Sequence, residues 1–157
     1  MELVTPKPHE WQTRFLAHQA RILRVLPHVD VQHIGSTAIP GIRAKDVVDV
    51  LVGVSATDIP ATTRQLTELH YVLEGERPGH AWLCWPAPGQ REAVIHVMER
   101  GGEAWRRRLH FRDFLRQHPA EAKAYEALKR HLAAQTDDWG EYTRQKADFV
   151  QRILNEF

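Results

Sequence analysis

Eight residues, Val47–Val54, do most to limit how this chain can fold. The stretch VVDVLVGV is β-branched or apolar almost throughout and is broken by one carboxylate, Asp49. A run of this kind reads as a central strand buried on both faces, so the rest of the chain must cover it from two sides. An ionised carboxylate is costly to bury alone. Asp49 therefore calls for a partner: a metal ion, a cation such as Lys45 at the strand mouth, or backbone donors. Asp46 is not a second carboxylate for the same place. Side chains alternate along a strand, so Asp46 and Asp49 fall on opposite faces, and the same-face neighbours of Asp49 are Val47 and Leu51.

Upstream, VDVQHI alternates and reads as a strand, and GSTAIPG is loop chemistry. Gly35 lets the backbone turn and lets a ligand approach it closely. Ser36 offers a hydroxyl and an N–H to a phosphate oxygen. Taken alone, Gly35-Ser36 is better read as a plain turn between strands; Asp49 shifts the balance. Lys45 is read either as a partner for phosphate or carboxylate or as a solvated loop lysine. His33, beside the loop, either faces the pocket or belongs to the core or surface.

The remaining periodicities place an amphipathic helix before the first strand, around Trp11, Phe15, Ile22, Leu23 and Leu26. TDIPATTRQLTELH is a second helix, with Asp58 as expected N-cap and Pro60 in its first turn. YVLE, HAWLCW and AVIHVME read as strands. From Glu103 onward three helices follow, with Pro119 opening the second and Asp137, Asp138 and Gly140 breaking before the third. This order predicts an α+β fold: a mixed sheet with flanking helices and a three-helix C-terminal segment, forming a single domain over residues 1–157. His96 interrupts VIHV as Asp49 interrupts its own strand, and is a candidate for the same site.

Three cations border the apolar stripes of the C-terminal helices. Arg112 follows Trp105 and Leu109, Lys129 follows Tyr125, and Lys146 lies between Tyr142 and Phe149. Each alone is compatible with an alkyl stem that packs while its charge reaches water. Together they favour a shared anionic target, namely Asp49, a bound phosphate, or both.

Composition narrows the classes. Lys and Arg total 21 against 20 acidic residues, which argues against general nucleic-acid binding through a global basic field. Ten histidines make the surface more basic near pH 6. The one cysteine, Cys84, reads as a small buried hydrophobe, and with no signal-peptide pattern the chain is expected in the cytoplasm. No apolar run approaches the roughly 18 residues needed to span a bilayer, so no membrane partner is expected.

The linked segment HIGSTAIPG…AK…VDVLVGV, with IHV, FRDFLRQHP, AYEALKRHLA and YTRQKADFV, resembles the GrpB-like (UPF0157) family over nearly the whole chain. The resemblance implies the nucleotidyltransferase-like fold. It also implies relatives that stand alone or are fused behind dephospho-CoA kinases. Active nucleotidyltransferases carry Gly-Ser, then an Asp-x-Asp/Glu strand and a third carboxylate on a later strand, which bind two divalent metals. Gly35-Ser36 and Asp49 match the first part. Leu51 stands where the second carboxylate belongs, and the later strand offers His96. Relative to the family pattern, Asp46 replaces a Pro after the Lys and Val94 replaces the first His of a His-x-His pair.

Two readings follow. In one, Gly35, Ser36 and Lys45 hold the phosphates of a nucleotide. Asp49 is then the catalytic residue and, with His96, holds a single Mg²⁺ or Mn²⁺ weakly, while Arg112, Lys129 or Lys146 stabilises phosphoryl charge. In the other, the same fold is a binding or protein-interaction module without turnover. In the transferase and binding readings the ligand is a nucleotide or other phosphorylated small molecule; no protein partner is identified.

Overall fold

The computed structural model describes residues 2–135 and 139–155, without the side chains of residues 139–142. Asp137, Asp138 and the Tyr142 side chain lie outside the described residues. Five strands are β1 (Asp30–Ile34), β2 (Val48–Val54), β3 (Val72–Arg77), β4 (His80–Trp85) and β5 (Ala93–Glu99). Five α-helices are α1 (Pro8–Val25), α2 (Ile59–Glu68), α3 (Glu103–Gln117), α4 (Pro119–Gln135) and α5 (Trp139–Leu154). The strands form one mixed sheet in the order β1-β2-β5-β4-β3. β2 and β5 run parallel; every other pair is antiparallel. The α+β architecture expected from the sequence is therefore the one observed.

Alternation divides the sheet into two unlike faces. Val48, Val50 and Val52 of β2, with Ile95 and Val97 of β5, pack against Trp11, Phe15 and Ile22 of α1 and Leu66 of α2. This is the main apolar core, and its β2 and β5 members are fully buried. The opposite face carries Asp49, Leu51 and Gly53, and α3 covers its lower part through Trp105, which clusters with Ile34, Leu51 and Met98. Gly53 has a specific reason to lack a side chain: a Cβ there would collide with the Trp105 ring. A third cluster, Ile39, Ile42, Leu115, Ala122 and Tyr125, ties α3 and α4 to the loop after β1.

Asp46 and Asp49 are separated as alternation requires. Asp46 lies on the α1 side, accepting from Trp11 Nε1 at 3.0 Å and Lys7 Nζ at 3.2 Å, with Arg14 Nη2 at 3.0 Å. Burial raises its pKa, but these donors outweigh burial and hold the carboxyl below its usual range. Asp58 does not cap α2. It ends a short 3₁₀ turn, Ala56–Asp58, with φ −93° and ψ −4°, and its side chain makes no capping bond. A capping side chain needs an extended backbone, which that turn denies it.

Candidate functional site

The site begins where β1 ends. Ile34 pairs with Asp49 in the sheet register, so the next residue, Gly35, lies directly over the Asp49 carboxylate. Gly35 has φ +76°, and any side chain there would collide with Asp49 Oδ2. Glycine is needed both for the backbone region and for the close approach. The chain then makes a 3₁₀ turn, Ser36–Ala38, closed by Ala38 N–H to Gly35 O at 3.0 Å. The turn presents the Ser36 hydroxyl to the helical segment, where Lys129 of α4 donates to Ser36 Oγ.

Lys129 is 4% exposed. Its ammonium donates to the Ser36 hydroxyl and lies 4.8 Å from the centre of the Tyr125 ring. Burial pushes its pKa down to about 7; repulsion from Lys146 adds to this, while Asp49 and Glu126 oppose it. Glu126 is itself engaged, accepting from the Arg43 backbone N–H. Lys45 is lowered in the same sense, first by burial and then by Lys146. Ser36, Lys45, Asp49, Arg91, Lys129 and Lys146 line one cavity of about 270 Å³. Arg91 also pairs with Glu74.

A second cavity of about 490 Å³ shares Asp49 and Lys146 with the first. Gly35, His96, Arg107, Arg108, Phe111 and Tyr125 contribute to its wall. The two cavities thus form a charged end and a partly aromatic end that meet at Asp49 and Lys146. Across both linings six cations, Lys45, Arg91, Arg107, Arg108, Lys129 and Lys146, face one carboxylate among the described residues, Asp49.

Behind Asp49 runs a chain of rings. His96 Nε2 lies 3.3 Å from Asp49 Oδ1, His96 Nδ1 lies 3.0 Å from His80 Nε2, and His80 Nδ1 lies 3.2 Å from Arg77 Nη2. Arginine only donates, so His80 Nδ1 must be the acceptor and carries no proton. His80 is then neutral with its proton on Nε2, donated to His96 Nδ1. His96 in turn holds its proton on Nε2 and donates to Asp49. Burial, followed by His96, Arg108 and Arg77, lowers the His80 pKa to about 4, in keeping with a neutral ring.

Not every expected residue arrives here. His33 pairs with Val50 and turns to the α1 face, where its ring stacks on Phe15 at 4.8 Å and bonds Thr37 Oγ1 at 2.9 Å. Arg112 braces β1 instead, donating to Gln32 Oε1 at 2.9 Å and His33 O at 3.1 Å and pairing with Asp113. Neither lines either of the two cavities described above. Gly35, Ser36, Lys45, His96, Lys129 and Lys146 do. Sequence reasoning did not find Arg107, Arg108 and His80. Arg108 follows Trp105 by three on α3, and His80 shares the alternation of Trp82 and Cys84, so signals for these two were present in the sequence.

A two-metal centre does not fit these residues. Leu51, the same-face neighbour of Asp49, is fully buried in the apolar cluster under α3. No group of three or more His, Cys, Asp or Glu that could hold a metal occurs among the described residues. His96 presents a proton to Asp49 rather than a lone pair.

Comparison with known proteins places the chain. The GrpB protein family matches residues 1–156, and the chain belongs to this family. A UPF0157 protein of Deinococcus radiodurans is 60% identical over 98% of this chain and 81% of its own length. UPF0157 protein SCO7215 of Streptomyces coelicolor is 38% identical over 91% of this chain and 77% of its own. Among solved structures, conserved protein GrpB from Enterococcus faecalis superposes with a TM-score of 0.83 at 26% identity, over 99% of this chain and 98% of that one. The GLD-2/RNP-8 complex gives a TM-score of 0.63 at 11% identity, over 93% of this chain and 51% of that one. A cytoplasmic RNA terminal U-transferase gives 0.58 at 12%, over 86% and 42%. These last two establish the nucleotidyltransferase-like fold and nothing beyond it. No helix among the described residues is long and apolar enough to cross a membrane.

Proposed function

We propose that this chain is a binding module on the nucleotidyltransferase fold and holds a nucleotide or other phosphorylated small molecule between the Gly35-Ser36 turn and α4–α5. The observation that carries the reading is the buried Lys129 ammonium. It bonds a neutral hydroxyl, while Lys45 and Lys146 line the same cavity. Buried cations are ordinarily matched by anions. A phosphate oxygen between Ser36, Lys129 and Lys146 supplies that match. Phosphate groups occupy the smaller cavity and the organic part lies against Phe111 and Tyr125 in the larger. The Gly35 backbone permits the approach, and Ser36 supplies a neutral donor.

Nucleotidyl transfer is the second reading. It is favoured by Asp49, whose side chain is 34% exposed and reachable from both cavities. In that case Asp49 takes the proton of an acceptor hydroxyl and the lysines stabilise charge on the phosphoryl group. Leu51 at the second carboxylate position weighs toward binding.

Thermal-shift measurements across nucleosides, their mono-, di- and triphosphates and CoA-related phosphates such as dephospho-CoA test the proposal. A ligand present at 100 times its Kd stabilises by about 2.7 kcal/mol. The expected result is a shift with the phosphorylated compounds and none with the nucleosides. No shift with any phosphate, in any buffer, overturns it.

A further inference from the structure

We infer that the site takes its phosphate groups as the bare polyanion, with lysine and arginine side chains in the place that divalent metals occupy in a two-metal site. This rests on the phosphate-binding reading given above and specifies the form of the ligand.

Three independent features point the same way. The first is charge. A two-metal site uses several carboxylates to hold its ions, and the ions then neutralise phosphate. Here six cations line the paired cavities against a single lining carboxylate among the described residues, and two of them, Arg91 and Arg107, also pair with Glu74 and Glu103 outside the linings. A site so strongly positive is matched by a ligand carrying its full phosphate charge. A magnesium complex brings two positive charges of its own and meets repulsion.

The second feature is the buried position of Lys129. Its ammonium sits where Ser36 Oγ can bond it, on the turn under Gly35 and beside Asp49. Lys129 comes from α4, while Lys146 comes from α5 and Lys45 from the loop before β2. Three separate elements therefore deliver point charges to one cavity. Three donors on each ammonium suit phosphate oxygens approached from several sides.

The third is the direction of the hydrogen-bond chain. Arg77 fixes the His80 tautomer, and His80 fixes that of His96. His96 Nε2–H then points at Asp49 Oδ1. To bind a metal through Nε2, His96 must surrender that proton and take one on Nδ1. His80 then has to reverse as well, and its Nδ1 becomes a donor facing the Arg77 guanidinium. Two donors face each other in that state, so the ring chain holds His96 against metal ligation. Asp49 keeps its proton donor, His96, and is not the anchor of a cation.

Titration calorimetry with inorganic tripolyphosphate and with ATP, each in EDTA and in excess Mg²⁺, tests this. The expected result is binding in EDTA that weakens on the order of tenfold with Mg²⁺, equivalent to about 1.4 kcal/mol. Lys129→Met and Lys146→Gln should each weaken binding in EDTA. Circular dichroism verifies that both variants are folded, and the two lysines sit on different helices, so one variant serves if the other fails to fold. Binding that appears only with Mg²⁺, or tightens with it, overturns the metal-free inference and leaves the phosphate-binding function standing. Binding in EDTA that neither variant affects places the anion elsewhere and overturns the inference. No binding under either condition overturns both.

Discussion

Lys129 donates to the hydroxyl of Ser36, 93 positions earlier in the chain, so the last helices and the first strand pair meet in one buried contact. The geometry leaves an ammonium inside the protein against a neutral oxygen. That arrangement carries the first prediction. Lys129→Met keeps the stem and removes the buried charge, so it should stabilise the unliganded protein at neutral pH. The expected gain is about 1–3 kcal/mol, in the range seen when buried ionic groups give way to apolar ones. Urea unfolding of both proteins measures it. A loss of stability contradicts the account of Lys129 as a charge held for a ligand.

Phosphate binding should take up a proton near pH 8. The Lys129 pKa is lowered to about 7 by burial first and then by Lys146, with Lys45 acting in the same sense and Asp49 and Glu126 opposing. A phosphate arriving at Nζ favours the charged form and raises that pKa. Affinity should therefore fall as pH rises through 7 toward about 9. Calorimetry in two buffers of different ionisation enthalpy counts the protons directly.

Acidification should destabilise the fold between pH 6.5 and about 4. His18, His33 and His80 are each lowered from 6.5 to about 4, in every case chiefly by burial. In that window the unfolded chain binds these protons and the folded chain does not, so stability rises with pH there. Each tenfold weakening of proton affinity on folding is worth about 1.4 kcal/mol, so the three histidines together make a loss of several kcal/mol on going to pH 4. Denaturant midpoints at intermediate pH values report the slope.

Gly35→Ala should cost about 1–3 kcal/mol, because alanine at φ +76° is strained and its Cβ meets Asp49. The change should also lower phosphate affinity, since the Asp49 carboxylate has to move. Thermal unfolding gives the first effect and calorimetry the second.

Asp49→Asn separates binding from transfer. The carboxylate is the one negative side chain among the described residues lining the two cavities. Its removal should tighten tripolyphosphate binding, by up to about tenfold for one nearby unit charge. In an enzyme that uses Asp49 on an acceptor hydroxyl, the same variant loses turnover while still binding nucleotide. Binding and radiolabelled transfer assays on one preparation distinguish the two.

What the sequence made legible follows the range of each signal. The separation of Asp46 from Asp49 needed only strand alternation, a local rule, and it holds. Lys129 and Lys146 were readable because helical periodicity put them beside apolar stripes whose neighbours had to be core. Arg112 showed the same pattern, yet α3 lies across β1, so its guanidinium finds Gln32 and the His33 carbonyl instead. His33 was read by its closeness to the loop, whereas the β1–β2 register puts Ile34, not His33, opposite Asp49. Alternation put His80 on the face of Trp82 and Cys84, but its bond to His96 depends on β4 lying beside β5, a long-range pairing that alternation alone does not state.

The Asp46 clamp gives the two faces of β2 unequal work. Trp11, Lys7 and Arg14 seize the strand at its entrance from behind, just before it turns Asp49 toward the cavities. The strand is thereby a pinned wall: what is bolted at the rear sets where the front stands. The helix that lines neither cavity is in this sense the site's foundation, and a loosened bolt at Trp11 displaces the carboxylate three residues along on the other side.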